Sequence, residues 1–206
     1  MSILFEGFFL QASLILALGA QNLFVLESGL KKQRYLLVAS LCSLCDALLI
    51  TLGVLGVATL FVQIPLLKIG LGVFGVAFLL WYGVVKLFEK PASLENSHAL
   101  KKSSHLRTVV LQTLAFSILN PHVYLDAIVL IGGYSTTFPT ALERAWFGAG
   151  AALFSVVWFF GLALLSARAS KLLNNPKTMR MIFVISGCVL IALALKLGID
   201  VWSWLI

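Results

Sequence analysis

Apolar runs of about twenty residues alternate with short polar gaps along this chain, the length a helix needs to cross a bilayer. Gly7 to Leu26 and Ala145 to Ala167 are two such runs without a single charge. The pattern predicts spans at 3–26, 35–61, 66–87, 107–132, 145–167 and 180–204, hence an all-α polytopic membrane protein with six transmembrane helices. One gap is long. Residues 88–106 are polar and include Pro91, reading as a linker between a first three-helix unit at 1–87 and a second at 107–206.

Three spans per unit is an odd number, so two copies of one unit must insert upside down relative to each other, the plan of many secondary transporters. Short matches support a repeat. Aligning Gln11 with Gln112 sets Leu18-Gly19-Ala20 on Leu119-Asn120-Pro121, and Gly72, Ala77, Leu80 and Gly83 fall on Gly187, Ala192, Leu195 and Gly198. A 3+3 inverted repeat is the expected architecture.

Composition agrees with the pattern. Hydrophobic residues make up 61% and charged residues 11% of the 206, with mean hydropathy +1.04, which excludes a water-soluble domain. The net charge of +7 sits beside the spans, where it sets orientation; the partner it implies is the bilayer and not nucleic acid. The gaps after spans one, three and five hold Lys31, Lys32, Arg34; Lys86, Lys90, Lys101, Lys102, Arg107; and Arg168, Lys171, Lys177, Arg180, whereas the other two hold Lys68 and Arg144. The positive-inside rule then places both termini on the outer, periplasmic side. The start, M-S-I-L-F-E, has an acid where a signal peptide would be basic, so the first span is expected to be retained.

Polar residues inside the spans carry the chemistry. Asn is a preferred N-cap and Pro a preferred first helical residue, so Asn120-Pro121 spells a helix start in the middle of span four. Two half-helices follow, the second presenting unpaired N–H groups and a positive dipole end near mid-membrane, where a substrate carboxylate can bind. Gly19-Ala20-Gln21-Asn22 is the matching irregularity in the first half. The plain alternative is a proline kink.

Asp46 lies about eleven residues into span two, ~16 Å deep at the helical rise. An acid there costs ~2.5–3.5 kcal/mol to insert, so it is expected to face the bundle interior and serve substrate or proton; an ion pair with Lys196 is the structural alternative. Ala39, Ser43, Asp46 and Gly53 recur at helical spacing and give it a small, polar face. Asp126 follows His122 by four residues, on one helical face where the two could share a proton. Cys42, Cys45 and Cys188 sit in apolar spans and read as small packing groups. No metal site, cofactor or enzymatic centre is expected. Trp81, Trp202 and Trp204 read as interfacial anchors.

Taken together, L-G-A-Q-N-L-F-V-L-E-S-G from Leu18, C-D-A-L-L-I-T-L-G-V-L-G from Cys45 and L-N-P-H-V-Y-L-D from Leu119 resemble the LysE superfamily of amino-acid exporters, in particular its lysine and arginine branch. The neutral-amino-acid branch shows G-P-N and N-P-K where this chain has Gly19-Ala20-Gln21-Asn22 and Asn120-Pro121-His122. The resemblance implies export of L-arginine, L-lysine or close analogues across the bacterial inner membrane, with Asp46, Asp126, Asn120, Pro121, His122, Gln21 and Asn22 as the substrate-binding or proton-coupling positions. Moving a positive charge out of a negative-inside cell costs ~2.3 kcal/mol per 100 mV, so proton antiport is the expected drive. Export of neutral amino acids is the nearest rival. A cation or metal exporter using Cys42, Cys45 and Asp46, and a thiol oxidoreductase, are further ones; spans one and four carry no cysteine, which argues against the last. Arginine against lysine, and a homo-oligomer against a monomer, stay open.

Overall fold

The computed structural model describes residues 2–15, 19–57, 65–88, 105–119, 121–170 and 176–205, and those residues are helical apart from short turns. The linker at 89–104 and Asn120 lie outside the described residues. In chain order the α-helices are α1 (Ser2–Ile15), α2 (Ala20–Leu30), α3 (Tyr35–Leu52), α4 (Pro65–Phe88), α5 (Leu106–Ile118), α6 (Pro121–Tyr124), α7 (Gly132–Ser135), α8 (Ala141–Ala169) and α9 (Pro176–Leu205). Two π-helical segments, Gly53–Val57 after α3 and Leu125–Ile131 between α6 and α7, complete them.

Tyr35–Gly56, Ala141–Ala169 and Arg180–Ser203 are each long and apolar enough to cross a bilayer. A fourth candidate is the pair α1 and α2, whose axes differ by 83°. The first apolar run is therefore broken between Ile15 and Ala20, where its spacing predicts a span with a local irregularity. Helix α8 begins earlier than its apolar run because Thr140 and Glu143 form a capping box: Thr140 Oγ1 accepts from the Glu143 N–H at 3.2 Å and Glu143 Oε2 accepts from the Thr140 N–H at 3.1 Å.

Helix α8 runs along α1, α2 and α3, while α4 pairs with α9. Two apolar clusters fill the interior. One joins Phe24, Leu79, Tyr82, Phe116, Leu190 and Leu197; the other joins Ile50, Ala127, Ile131, Phe147 and Ala151. The π-helical segments meet at small residues: a Cβ at Gly132 would stand 2.7 Å from the Gly53 carbonyl oxygen, and one at Gly53 only 2.4 Å from that of Ala127. Backbone this close requires glycine on both sides.

The surface inverts the arrangement of a water-soluble protein. Phe9, Leu55, Phe74, Leu165, Ile199 and Trp202 face outward, as do Trp81 and many other large apolar side chains, while Gln11, Gln21, Asn22, Glu27, Asp46, Lys86 and Ser155 are buried. Large apolar side chains outside, with the few polar ones buried among the apolar clusters, are what a hydrocarbon solvent selects.

Candidate functional site

The break in the first apolar run opens a cavity of about 460 Å3, within the ~300–1,000 Å3 range of small-molecule sites. Its wall takes Ser13 and Ile15 from the end of α1, Gly19 to Asn22 from the start of α2, Val123 and Asp126 from the second half of the chain, Leu79 from α4, and Leu193, Lys196 and Leu197 from α9. Gly19 is extended at φ −95° and ψ 168°, and its carbonyl accepts the first helical bond of α2 from the Leu23 N–H at 3.1 Å. The first-turn N–H groups, those of Ala20 and Gln21 among them, belong to a helix end that supplies no intrahelical acceptors and carries a positive dipole.

Side chains fix this helix start. Asn22 Nδ2 donates to the Ile15 carbonyl at 2.8 Å, bridging back across the break to α1. Asn22 Oδ1 accepts from Trp158 Nε1 at 3.1 Å, which ties the same amide to α8. Gln21 Nε2 donates to Ser117 Oγ at 3.2 Å, on the last turn of α5. The G-A-Q-N stretch is thus anchored to three different helices, and its polarity in an apolar run has a structural reason as well as a chemical one.

Asp126 lines the cavity, but not through the regular half-helix its spacing predicts. Helix α6 starts at Pro121, as the Asn120-Pro121 pair implies, yet it gives way to a π-helix at Leu125. In a π-helix the bond runs five residues back, so the four-residue spacing does not by itself stack Asp126 on His122. The side chains of Pro121 and His122 lie outside the described residues, as does Asn120.

Asp46 stands apart from this cavity wall. It is 5% exposed, and its Oδ2 accepts from Ser155 Oγ at 2.9 Å and from Gln11 Nε2 at 3.4 Å. The same Gln11 Nε2 donates to Ser155 Oγ at 2.9 Å, closing a triangle between α1, α3 and α8. Among the described residues, Asp46 Oδ1, Gln11 Oε1 and Ser43 Oγ are buried with no hydrogen-bond partner. Among the described residues Asp46 makes no ion pair, so the structural alternative of a bond to Lys196 is not the arrangement found; Lys196 is in the cavity wall with Asp126 instead. Interhelical hydrogen bonds in membranes average about 0.6 kcal/mol each. Two of them fall short of the ~2.5–3.5 kcal/mol that inserting an aspartate costs, so stability alone does not account for Asp46.

The predicted face of Ala39, Ser43, Asp46 and Gly53 is indeed buried. Cys42 is buried, Cys45 half-buried and Cys188 exposed, all three free thiols, and among the described residues no group of three metal-ligating side chains gathers. Sequence reasoning did not find Gln11, Ser155, Ser117 or Trp158 as partners of the predicted residues. Their signal was available only as isolated polar or indole groups within apolar runs, with nothing to say which faced which.

The chain is 40% identical over 201 residues to "Arginine exporter protein ArgO" of Serratia proteamaculans, covering 96% of this chain and 97% of that one. To the proteins of the same name from Yersinia enterocolitica and Salmonella enteritidis it is 40% identical over 199 and 195 residues, covering 96% and 94% of this chain and 97% and 92% of theirs. No solved structure matches. The LysE type translocator family matches residues 12–201, and this all-helical, multi-pass membrane protein with polar groups buried in its interior belongs to that family of transporters.

Proposed function

We propose that the protein exports arginine from the bacterial cytoplasm across the inner membrane, with lysine as a second substrate, and that protons drive it. The observation that carries the reading is the cavity whose wall holds both the N-terminal end of α2 and Asp126. A basic amino acid has one carboxylate and a cationic head. The helix end and Lys196 suit the carboxylate, and Asp126 suits the guanidinium or ammonium group. The relatives named arginine exporters favour arginine over lysine and over a neutral substrate.

Asp46 suits the proton. Among the described residues its cluster holds two buried acceptor oxygens without partners, Asp46 Oδ1 and Gln11 Oε1, and protonation turns a carboxylate into a donor as well as an acceptor. A proton moving inward on Asp46 as arginine moves outward offsets the ~2.3 kcal/mol per 100 mV that the cation meets. Units 1–87 and 107–206 then act as the two arms of an inverted repeat, with residues 88–106 joining them in the cytoplasm.

Labelled arginine and lysine efflux from cells with and without the chain tests the substrate; equal efflux in both removes the proposal. Arginine amide, which lacks the carboxylate, is expected to compete poorly, and the double change Asn120→Leu with Pro121→Leu to slow export. Collapsing the proton gradient at fixed membrane potential is expected to slow efflux, and unchanged efflux would exclude protons. Reporter fusions at each end test the orientation, with both expected outside. A cytoplasmic N-terminus would mean that the bent α1–α2 pair re-enters rather than crosses.

A further inference from the structure

A second cluster of charge is buried outside the cavity wall, and the transport reading leaves it unused. Glu27, on the last turn of α2, accepts from Lys86 Nζ on α4 and forms an ion pair with Lys31 Nζ at 2.7 Å. Glu27 is 5% and Lys86 4% exposed. The Lys86 ammonium also lies over two aromatic faces, 5.0 Å from the Tyr82 ring centre and 5.4 Å from that of Phe183 on α9. One carboxylate and two rings around an ammonium are the groups by which proteins recognise organic cations.

A buried ion pair is weak evidence for stability, because apolar residues of the same volume hold helices together as well or better. The pair's position points to a function. The three helices that build it also line the cavity. Ala20 in the cavity wall and Glu27 are seven residues apart on α2, as are Leu79 and Lys86 on α4, so cavity and ion pair are ~10 Å apart along both helices. Leu79, Tyr82 and Lys86 share one face of α4, at spacings of three and four. Phe24 and Tyr82 lie between the two levels on their helices, and with Phe78 they pack ring on ring around Phe116, each 4.8 Å from it.

We propose that Glu27, with the Tyr82 and Phe183 rings, is a receiving site for the cationic head of the transported amino acid, and that Lys86 fills it as a tethered cation in the conformation described. The chain's own lysine closes one end of the path to the cavity, and the aromatic packing closes the stretch between. A substrate cation takes the place of Lys86 on Glu27 and, by parting α2 from α4, opens the way past Phe116. The inference rests on the cationic-substrate reading above and adds a second acid, outside the cavity, to it.

The test uses the full-length purified protein and agmatine, an alkylguanidinium with no carboxylate, followed by calorimetry. Lys86→Met takes one of the two lysines off Glu27, Lys31 remaining beside it, and is expected to tighten agmatine binding by at least about tenfold; Lys86→Gln is the second choice if the methionine variant does not fold. Adding Glu27→Gln to either is expected to abolish the gain, and Lys86→Arg, which keeps a tethered cation, to show none. A folded Lys86→Met protein that binds agmatine no better than the unaltered one overturns the proposal, as does a gain that survives Glu27→Gln. Arginine efflux by the unaltered chain is measured alongside. Efflux without the agmatine gain sinks the receiving site and leaves the exporter reading standing, whereas the gain without efflux does the reverse.

Discussion

Ser155 on α8 donates its hydroxyl to the Asp46 carboxylate on α3 at 2.9 Å, a bond across the two halves of the chain between residues 109 apart in sequence. Gln11 bonds to both, so a change at any of the three alters the surroundings of the other two.

Asp46→Asn is therefore expected to abolish arginine efflux, by far more than tenfold, while membrane levels stay unchanged. Ser155→Ala removes one interhelical hydrogen bond, worth about 0.6 kcal/mol, and is expected to slow efflux less. Near-normal export by Asp46→Asn would show that the acid is a packing element.

Asn22 holds both sides of the break, to Ile15 through its amide N–H and to Trp158 through its carbonyl. Asn22→Leu keeps the volume and loses both bonds. Export should fall with it and fall less with Trp158→Phe, which leaves the bond to Ile15 in place. Equal rates for the two variants would place the important contact at Trp158 alone.

Helices α1 and α8 touch through glycine. A Cβ at Gly150 would lie 1.9 Å from the Leu4 carbonyl oxygen, and one at Gly7 2.0 Å from that of Phe147. Both contacts are with backbone, so alanine at either position must push the helices apart, at about 1–3 kcal/mol for overpacking. Thermal unfolding of the detergent-solubilised protein checks this. Gly161→Ala, in open space on the same α8, is the comparison and should match or exceed the unaltered protein, since alanine favours a helix by about 0.5–1 kcal/mol. A loss as large at Gly161 would mean that helix propensity, and not the crossing, governs the result.

Replacing Cys42, Cys45 and Cys188 together by alanine is expected to leave arginine efflux intact at equal protein level. The reason is geometric: Cys42 packs in the core while Cys188 faces outward, and neither lines the cavity. Lost efflux would bring back a thiol or metal role.

The apolar runs by themselves determined that the chain is helical and lives in a bilayer, because spanning length and backbone hydrogen bonding in hydrocarbon leave little other choice. The same local chemistry marked the helix starts at Gly19-Ala20 and Pro121 and the buried acid Asp46, since caps, prolines and intramembrane charges act within one turn of chain. What lies beyond one turn was not legible. Asp126 was expected to share a helical face with His122; the helix turns π-helical from Leu125, and the side chain of His122 lies outside the described residues. Lys86 read as a loop charge that sets orientation, yet the folding of α4 against α2 and α9 buries it on Glu27. Only the tertiary structure decided that Asp126 and Lys196 share the cavity wall while Asp46 sits behind it with Gln11 and Ser155. The physical reason is that an apolar span is nearly alike on every side in sequence, and which of its few polar groups meet is set by how the helices pack.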